Sequence, residues 1–159
     1  MAQQLPLFAA TLSPAEQRTI RRALTLLESQ LREPGAAFTS TAAVRDWLRL
    51  QLAGQERELF MVLYLDNQHR LLTHETLFKG TINHTQVHPR EVVKSALKHN
   101  AAAVVVAHNH PSGVAEASQA DRQITERLKK AMELMDIHLL DHLVVGSMDM
   151  VSFAERGWL

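Results

Sequence analysis

The sequence contains no cysteine, and that absence removes disulfides, thiolate nucleophiles and every metal site built on sulfur. Any metal centre must then be assembled from histidine and carboxylate. An excess of charge of one sign is missing too. Seventeen Lys and Arg balance seventeen Asp and Glu, so bulk electrostatics give no support for a nucleic-acid backbone as partner. Aromatics are scarce, with five Phe, two Trp and one Tyr in 159 residues, too few for an extended base-stacking platform. The start, MAQQLPLFAATLSPAEQ, lacks the basic and apolar regions of a signal peptide, and no later apolar run approaches the roughly 20 residues of a membrane span. A soluble, cytoplasmic protein is expected. What the chain does have is apolar material, 46% of its residues, enough for one core but not for two ordinary domains and a linker.

Ser13-Pro14-Ala15-Glu16 has the form of a helix start: a hydroxyl to cap, a proline for the first helical position and a glutamate to complete a capping box. Leu24, Leu27 and Leu31 mark one face before Pro34-Gly35 ends the helix. A second helix is expected after Thr39-Ser40-Thr41, with Val44, Trp47, Leu48 and Leu52 on one stripe before Gly54. At Glu58 the period changes. Residues 59–65 and 71–78 are apolar stretches around Asp66-Asn67-Gln68, which predicts a β-hairpin. A short extended piece follows Gly80, then a helix opens at Pro89 with Val92, Val93, Ala96 and Leu97 at helical spacing. Residues 101–107 predict a buried strand, and His108-Asn109-His110-Pro111-Ser112-Gly113 a loop by composition. A long helix over about 118–135 and a strand pair at 139–145 and 150–153 complete the chain. The expectation is an α/β (α+β) fold with a mixed central β-sheet flanked by helices. It divides into a mobile tail over 1–12, an N-terminal helix over 13–36 and a main domain over 37–159.

Side chains alternate along extended backbone, so His108 and His110, at the end of a buried strand, can face one ion. Asp121 lies eleven residues after His110, where the loop can fold its carboxylate back toward the pair. Two neutral imidazoles and one carboxylate suit zinc with a fourth position open for water, whereas magnesium or calcium would call for mostly oxygen ligands. The plainer alternative makes the two histidines surface-loop residues, Ser118 a helix cap and Asp121 a first-turn carboxylate.

Taken whole, a distant glutamate, His108-x-His110-Pro111, Ser118 and Asp121 resemble the JAMM motif of the JAB/MPN metalloproteases. The stretches Val87-His88-Pro89-Arg90-Glu91-Val92, Ala107-His108-Asn109-His110-Pro111-Ser112-Gly113, Ala120-Asp121 and Leu140-Asp141-His142-Leu143 resemble the RadC branch, from roughly residue 38 to the C-terminus. The likeness is to its short form, since residues 1–57 show nothing of the N-terminal helix-hairpin-helix region of longer members; direct DNA binding is not expected. Ala117 stands where the family typically has proline.

The resemblance implies a JAB/MPN (cytidine-deaminase-like) architecture and one zinc per chain held by His108, His110 and Asp121. It further implies a zinc-activated water that attacks a carbonyl carbon, and Glu58 as catalytic base. Glu56, two residues earlier, is the competitor. Ser118 either caps its helix or donates to the oxyanion of a tetrahedral intermediate, and the resemblance favours the catalytic role. Asp141 and His142 are not counted as ligands, because three ligands already leave one open position; His142 reads as a satisfied core histidine or a partner behind the ligands. His69, His74, His84, His88, His99 and His138 default to surface or structural roles.

Gln4-Leu5-Pro6-Leu7-Phe8 resembles the peptide by which bacterial DNA-processing proteins dock on the replication sliding clamp, with Gln4, Leu5, Leu7 and Phe8 as its contacts. The plainer alternative packs those side chains on the domain. The function expected is zinc-dependent metallopeptidase or isopeptidase chemistry on an unknown protein or peptide, in a RadC-like, DNA-repair-associated protein. The alternative is an accessory or scaffold protein of DNA metabolism, recruited to the clamp, with little or no hydrolysis. Nuclease action is disfavoured, because no basic phosphate clamp is evident.

Overall fold

Seven consecutive apolar residues, Leu59–Leu65, are buried on both faces, which requires a strand inside a sheet covered from both sides. The computed structural model describes residues 12–33, 42–52, 55–80 and 86–159. Its elements are α1 (Pro14–Leu31), α2 (Ala42–Leu52), β1 (Leu59–Leu65), β2 (Leu71–Lys79), α3 (Pro89–Lys98), β3 (Ala103–Asn109), α4 (Gln119–Leu134), β4 (His138–Val145) and β5 (Met150–Ser152). The five strands form one mixed sheet in the order β2-β1-β3-β4-β5. β1 runs antiparallel to both β2 and β3, β3 parallel to β4, and β4 antiparallel to β5. The single parallel pair needs a crossover, and α4 supplies it.

Period-two alternation sorts the core into two layers. Met61, Leu63, Leu65, Val105 and Ala107 pack with Val44, Trp47, Leu48 and Leu52 of α2 and with Leu31 of α1. Phe60, Val62, Tyr64, Val104 and Val106 pack with Val92 and Ala96 of α3 and with Leu128 and Met132 of α4. His108 continues the second series, so the strand's phase aims it at the layer that contains α4.

The expected helices and strands are present, with shifted ends. The Ser13–Glu16 capping box forms as the sequence indicates, and α1 ends at Leu31. β3 continues past Ala107 through His108 and Asn109, because both still pair: His108 with Phe60 and Val144, Asn109 with Val145. Ladder hydrogen bonds override the loop-like composition there. Pro34-Gly35, Thr39-Ser40-Thr41, Gly54, His84, the expected extended piece after Gly80 and the Gln4–Phe8 peptide lie outside the described residues. Among the described residues no helix is long and apolar enough to cross a membrane.

Leu31 is buried in the same cluster as α2 and the sheet, with Leu24 and Leu27 packed against it. Leu31→Ala is therefore expected to lower the unfolding free energy by about 2–5 kcal/mol, in one cooperative urea transition. A separate early transition with the main midpoint unchanged would show that α1 folds apart from the rest.

Candidate metal centre

Three segments converge at the carboxyl end of β3. The strand presents His108 and, one residue past its end, His110. Asp121 comes from the first turn of α4, held by a second capping box: the Ser118 hydroxyl accepts from the Asp121 N–H at 3.0 Å, and Asp121 Oδ2 accepts from the Ser118 N–H at 2.9 Å. Asp121 Oδ2 lies 3.1 Å from His110 Nε2, and Oδ1 lies 3.2 Å from His108 Nε2. The two Nε2 atoms are 3.0 Å apart. Glu58 Oε1 lies 3.8 Å from His108 Nε2, so four residues each offer a ligand atom within 4.8 Å of the others.

These distances test the fit of an ion. Tetrahedral zinc with bonds of about 2.0–2.1 Å separates neighbouring ligand atoms by roughly 3.3 Å, close to the His108, His110 and Asp121 spacings. His110 Nδ1 lies 2.9 Å from the Val114 carbonyl oxygen, to which it can only donate. Neutral His110 therefore turns a bare Nε2 toward the cluster. The donor set is right for a metal: two imidazole nitrogens that need not carry protons, and two carboxylates.

Burial works to raise the Asp121 carboxyl, but the imidazoles of His108 and His110 and the Ser118 N–H outweigh it and hold Asp121 well below the usual carboxylate range. The Asp121 hydrogen bond raises His110, against the opposing effect of burial. For His142, complete burial pushes the imidazole well below its ordinary value, and the nearby His108 adds to this.

Glu58 is the glutamate that reaches the cluster. Glu56 is exposed at a bend, so the extended path that would have put both on one side is broken. The residue that holds Glu58 in place is Asn109. Its Oδ1 accepts from the Leu59 N–H at 2.7 Å and its Nδ2 donates to the Arg57 carbonyl at 2.9 Å. The Glu58 carbonyl accepts from the Gly80 N–H at 2.8 Å. The backbone on both sides of the glutamate is thus pinned by the residue between the two histidines. Sequence reasoning missed this role, although an amide at the end of a buried strand was a signal that it must satisfy something.

Glu58, His108 and Asp121 open on a cavity of about 180 Å³ whose apolar walls are Phe60, Val87, Ala120 and Ile124. His142 closes its floor, stacked on Phe153 at 4.6 Å between ring centres. Asp141 points elsewhere, accepting from the His142 N–H, the Ser152 hydroxyl and the Ala154 N–H. The loop carrying His110 is tied down by the Ser147 N–H donating to the Gly113 carbonyl at 2.9 Å. Gly113 has φ +89°, and a Cβ there would strike the Ser147 hydroxyl. Ala117 packs beside Ala115, Val144, Val151 and Phe153. The other described histidines lie away from the cluster: His74 meets Glu28 and His99 meets Glu75, His69 sits in a turn with φ 61°, His88 is the N-cap of α3, and His138 opens β4.

Asn109→Ala removes the partner of the Leu59 N–H and the Arg57 carbonyl and is expected to lower stability by about 1–3 kcal/mol in urea unfolding. An unchanged unfolding free energy would show that Asn109 does not hold the backbone on either side of Glu58. A pH dependence also follows from the His110–Asp121 pair. His110 is raised, so its contribution is complete below about pH 6.5 and is lost as pH climbs through its folded-state value. Asp121 is lowered, so its contribution is present above about pH 3.9 and is lost only in stronger acid. In chelator-treated protein, the thermal midpoint of wild type should therefore fall more steeply than that of His110→Gln as pH rises above about 6.5. Added zinc should reverse the trend, because metal and proton compete for the same nitrogen.

The description RadC-like JAB domain matches residues 38–158. Three similar proteins come from Escherichia coli (strain K12). UPF0758 protein YkfG is 58% identical over 157 residues, 99% of each chain. UPF0758 protein YfjY is 62% identical over 143 residues, 90% of this chain and 89% of its own. UPF0758 protein YeeS is 61% identical over 148 residues, 93% of this chain and all of its own. With its two histidines, its aspartate and its glutamate gathered at the end of β3, the chain belongs to the RadC family, whose JAB domain makes up most of its length.

Proposed function

We propose that the chain is a zinc-dependent hydrolase that cleaves an amide or isopeptide bond in a protein or peptide. The observation that carries this reading is the convergence of Glu58, His108, His110 and Asp121 within 4.8 Å beside a cavity with apolar walls. His108, His110 and Asp121 would hold the ion, and their two nitrogens favour zinc over magnesium or calcium. Bound there, zinc supplies Lewis acidity and makes hydroxide accessible near neutral pH.

Glu58, restrained by Asn109, is the group placed to take a proton from water and return it to the departing amine. Ser118 uses a lone pair to accept from the Asp121 N–H; its own proton stays available for a developing oxyanion. Phe60, Val87 and Ile124 line the cavity beside Glu58 with apolar surface. Phosphodiester cleavage fits less well, because among the described residues neither lysine nor arginine lines the cavity to neutralise a phosphate. Docking on a sliding clamp through Gln4, Leu5, Leu7 and Phe8 belongs to the same proposal as a means of recruitment, separate from the chemistry.

Wild type is expected to bind one zinc per chain and His108→Ala to lose it. Glu58→Gln should keep the metal while turnover drops about 10²–10⁴-fold, with peptide, isopeptide-linked and DNA substrates assayed side by side. Wild type that takes up no zinc, or a Glu58→Gln variant that cleaves at the wild-type rate, would sink the reading.

A further inference from the structure

Behind His108 stands no carboxylate or carbonyl but a second histidine. His108 Nδ1 lies 2.7 Å from His142 Nε2. On the far side of that ring, His142 Nδ1 lies 2.5 Å from the Thr125 hydroxyl oxygen. That oxygen lies in turn 2.6 Å from the backbone carbonyl oxygen of Asp121, one helical turn earlier. Thr125 and His142 are both buried, so water does not stand in for any partner.

Each of these contacts takes one proton, and donor chemistry fixes its place at every step from Thr125 to His108 Nδ1. A carbonyl oxygen only accepts, so the Thr125 proton must point at Asp121; two oxygens at 2.6 Å with no proton between them would repel. Thr125 is then left with lone pairs on the side of His142, which must carry its proton on Nδ1 and donate. A neutral His142 has a bare Nε2, and this accepts from a proton on His108 Nδ1. A neutral His108 so protonated has a bare Nε2, directed at Asp121 Oδ1 and His110 Nε2. The opposite order would turn the Thr125 proton toward His142 and leave the Thr125 and Asp121 oxygens facing each other at 2.6 Å with no proton between them.

We propose that Thr125 and His142 are positioning residues that lock His108 in its Nδ1–H tautomer, so that its Nε2 is ready to bind metal before any ion arrives. A neutral relay also suits the charge of the site. Glu58 and Asp121 already bring two negative charges to match a divalent cation, and a third carboxylate behind His108 would leave the cluster over-charged in a buried setting. The carboxylate nearest in sequence, Asp141, is turned to the Ser152 hydroxyl and two backbone N–H groups. The consequence for zinc rests on the metal-ligand reading above, whereas the tautomer is a property of the chain alone.

Long-range proton–nitrogen correlation spectra of ¹⁵N-labelled, metal-free wild type are expected to show His108 and His142 both protonated on Nδ1. His108 protonated on Nε2 with a bare Nδ1 would overturn the proposal without any variant being made. Thr125→Val removes the hydroxyl at nearly constant shape and is expected to weaken zinc binding about 10- to 100-fold in competition with a chromophoric chelator, while Thr125→Ser restores it. A folded Thr125→Val protein with wild-type zinc affinity would also overturn it, since a role in packing alone would leave affinity unmoved. Failure of wild type to bind zinc sinks the hydrolase reading and leaves the tautomer measurement to decide this one. Tight zinc binding with His108 protonated on Nε2 and bare on Nδ1 in the metal-free protein sinks only this one.

Discussion

A polar side chain carried into the interior of a covered sheet is unfavourable unless its hydrogen bonds are met there, and β3 carries two in succession, His108 and Asn109, both buried. Alternation sends them to opposite faces, so each must find partners in a different layer. Asn109 finds them on the backbone around Glu58, where β1 begins. His108 finds one on β4, in His142, and others at the start of α4. The site is the set of partners that the polar end of one buried strand demands.

Topology explains why these partners are at hand. β3, α4 and β4 form a parallel crossover, and ligands characteristically gather beyond the carboxyl ends of such strands. His108 at the end of β3, Asp121 and Thr125 on successive turns of α4, and His142 on β4 all belong to this unit. The antiparallel β1 brings Glu58 in from the other side, opposite the histidines in register, with Phe60 paired to His108. Glu58 thus comes from a segment that approaches from the opposite direction, and Asn109 ties it back to the strand that carries His108.

Much of this was legible in the sequence because it depends on local rules. The Ser13–Glu16 box, the hydrophobic run of β1, the proline that opens α3 and the His108-x-His110 spacing each express a short-range constraint. So does the placement of Asp121 at a helix start. What could not be read depends on contacts distant in sequence. Asn109 acts across about fifty residues on Arg57 and Leu59, so composition made it look like part of a loop. Thr125 looks like an ordinary position on an amphipathic helix until β4 places His142 against it. Glu56 competed with the favoured Glu58 on the assumption of an extended chain, and a bend at Glu56 and Arg57 separates them.

Asp121 shows how closely fold and site are joined. Its N–H and carboxylate complete the capping box that starts α4, its carbonyl takes the Thr125 proton, and its two carboxylate oxygens face His110 and His108. The positive end of the α4 dipole favours the ionised carboxylate, which is also the form a metal needs. Helix capping, tautomer control and metal binding therefore call for the same rotamer and charge state of one side chain. A fold that satisfies α4 at its N-terminus has, by that act, oriented the Asp121 carboxylate toward both histidines and given Thr125 its acceptor. This agreement lets a chain of 159 residues hold a preorganised centre with no cysteine.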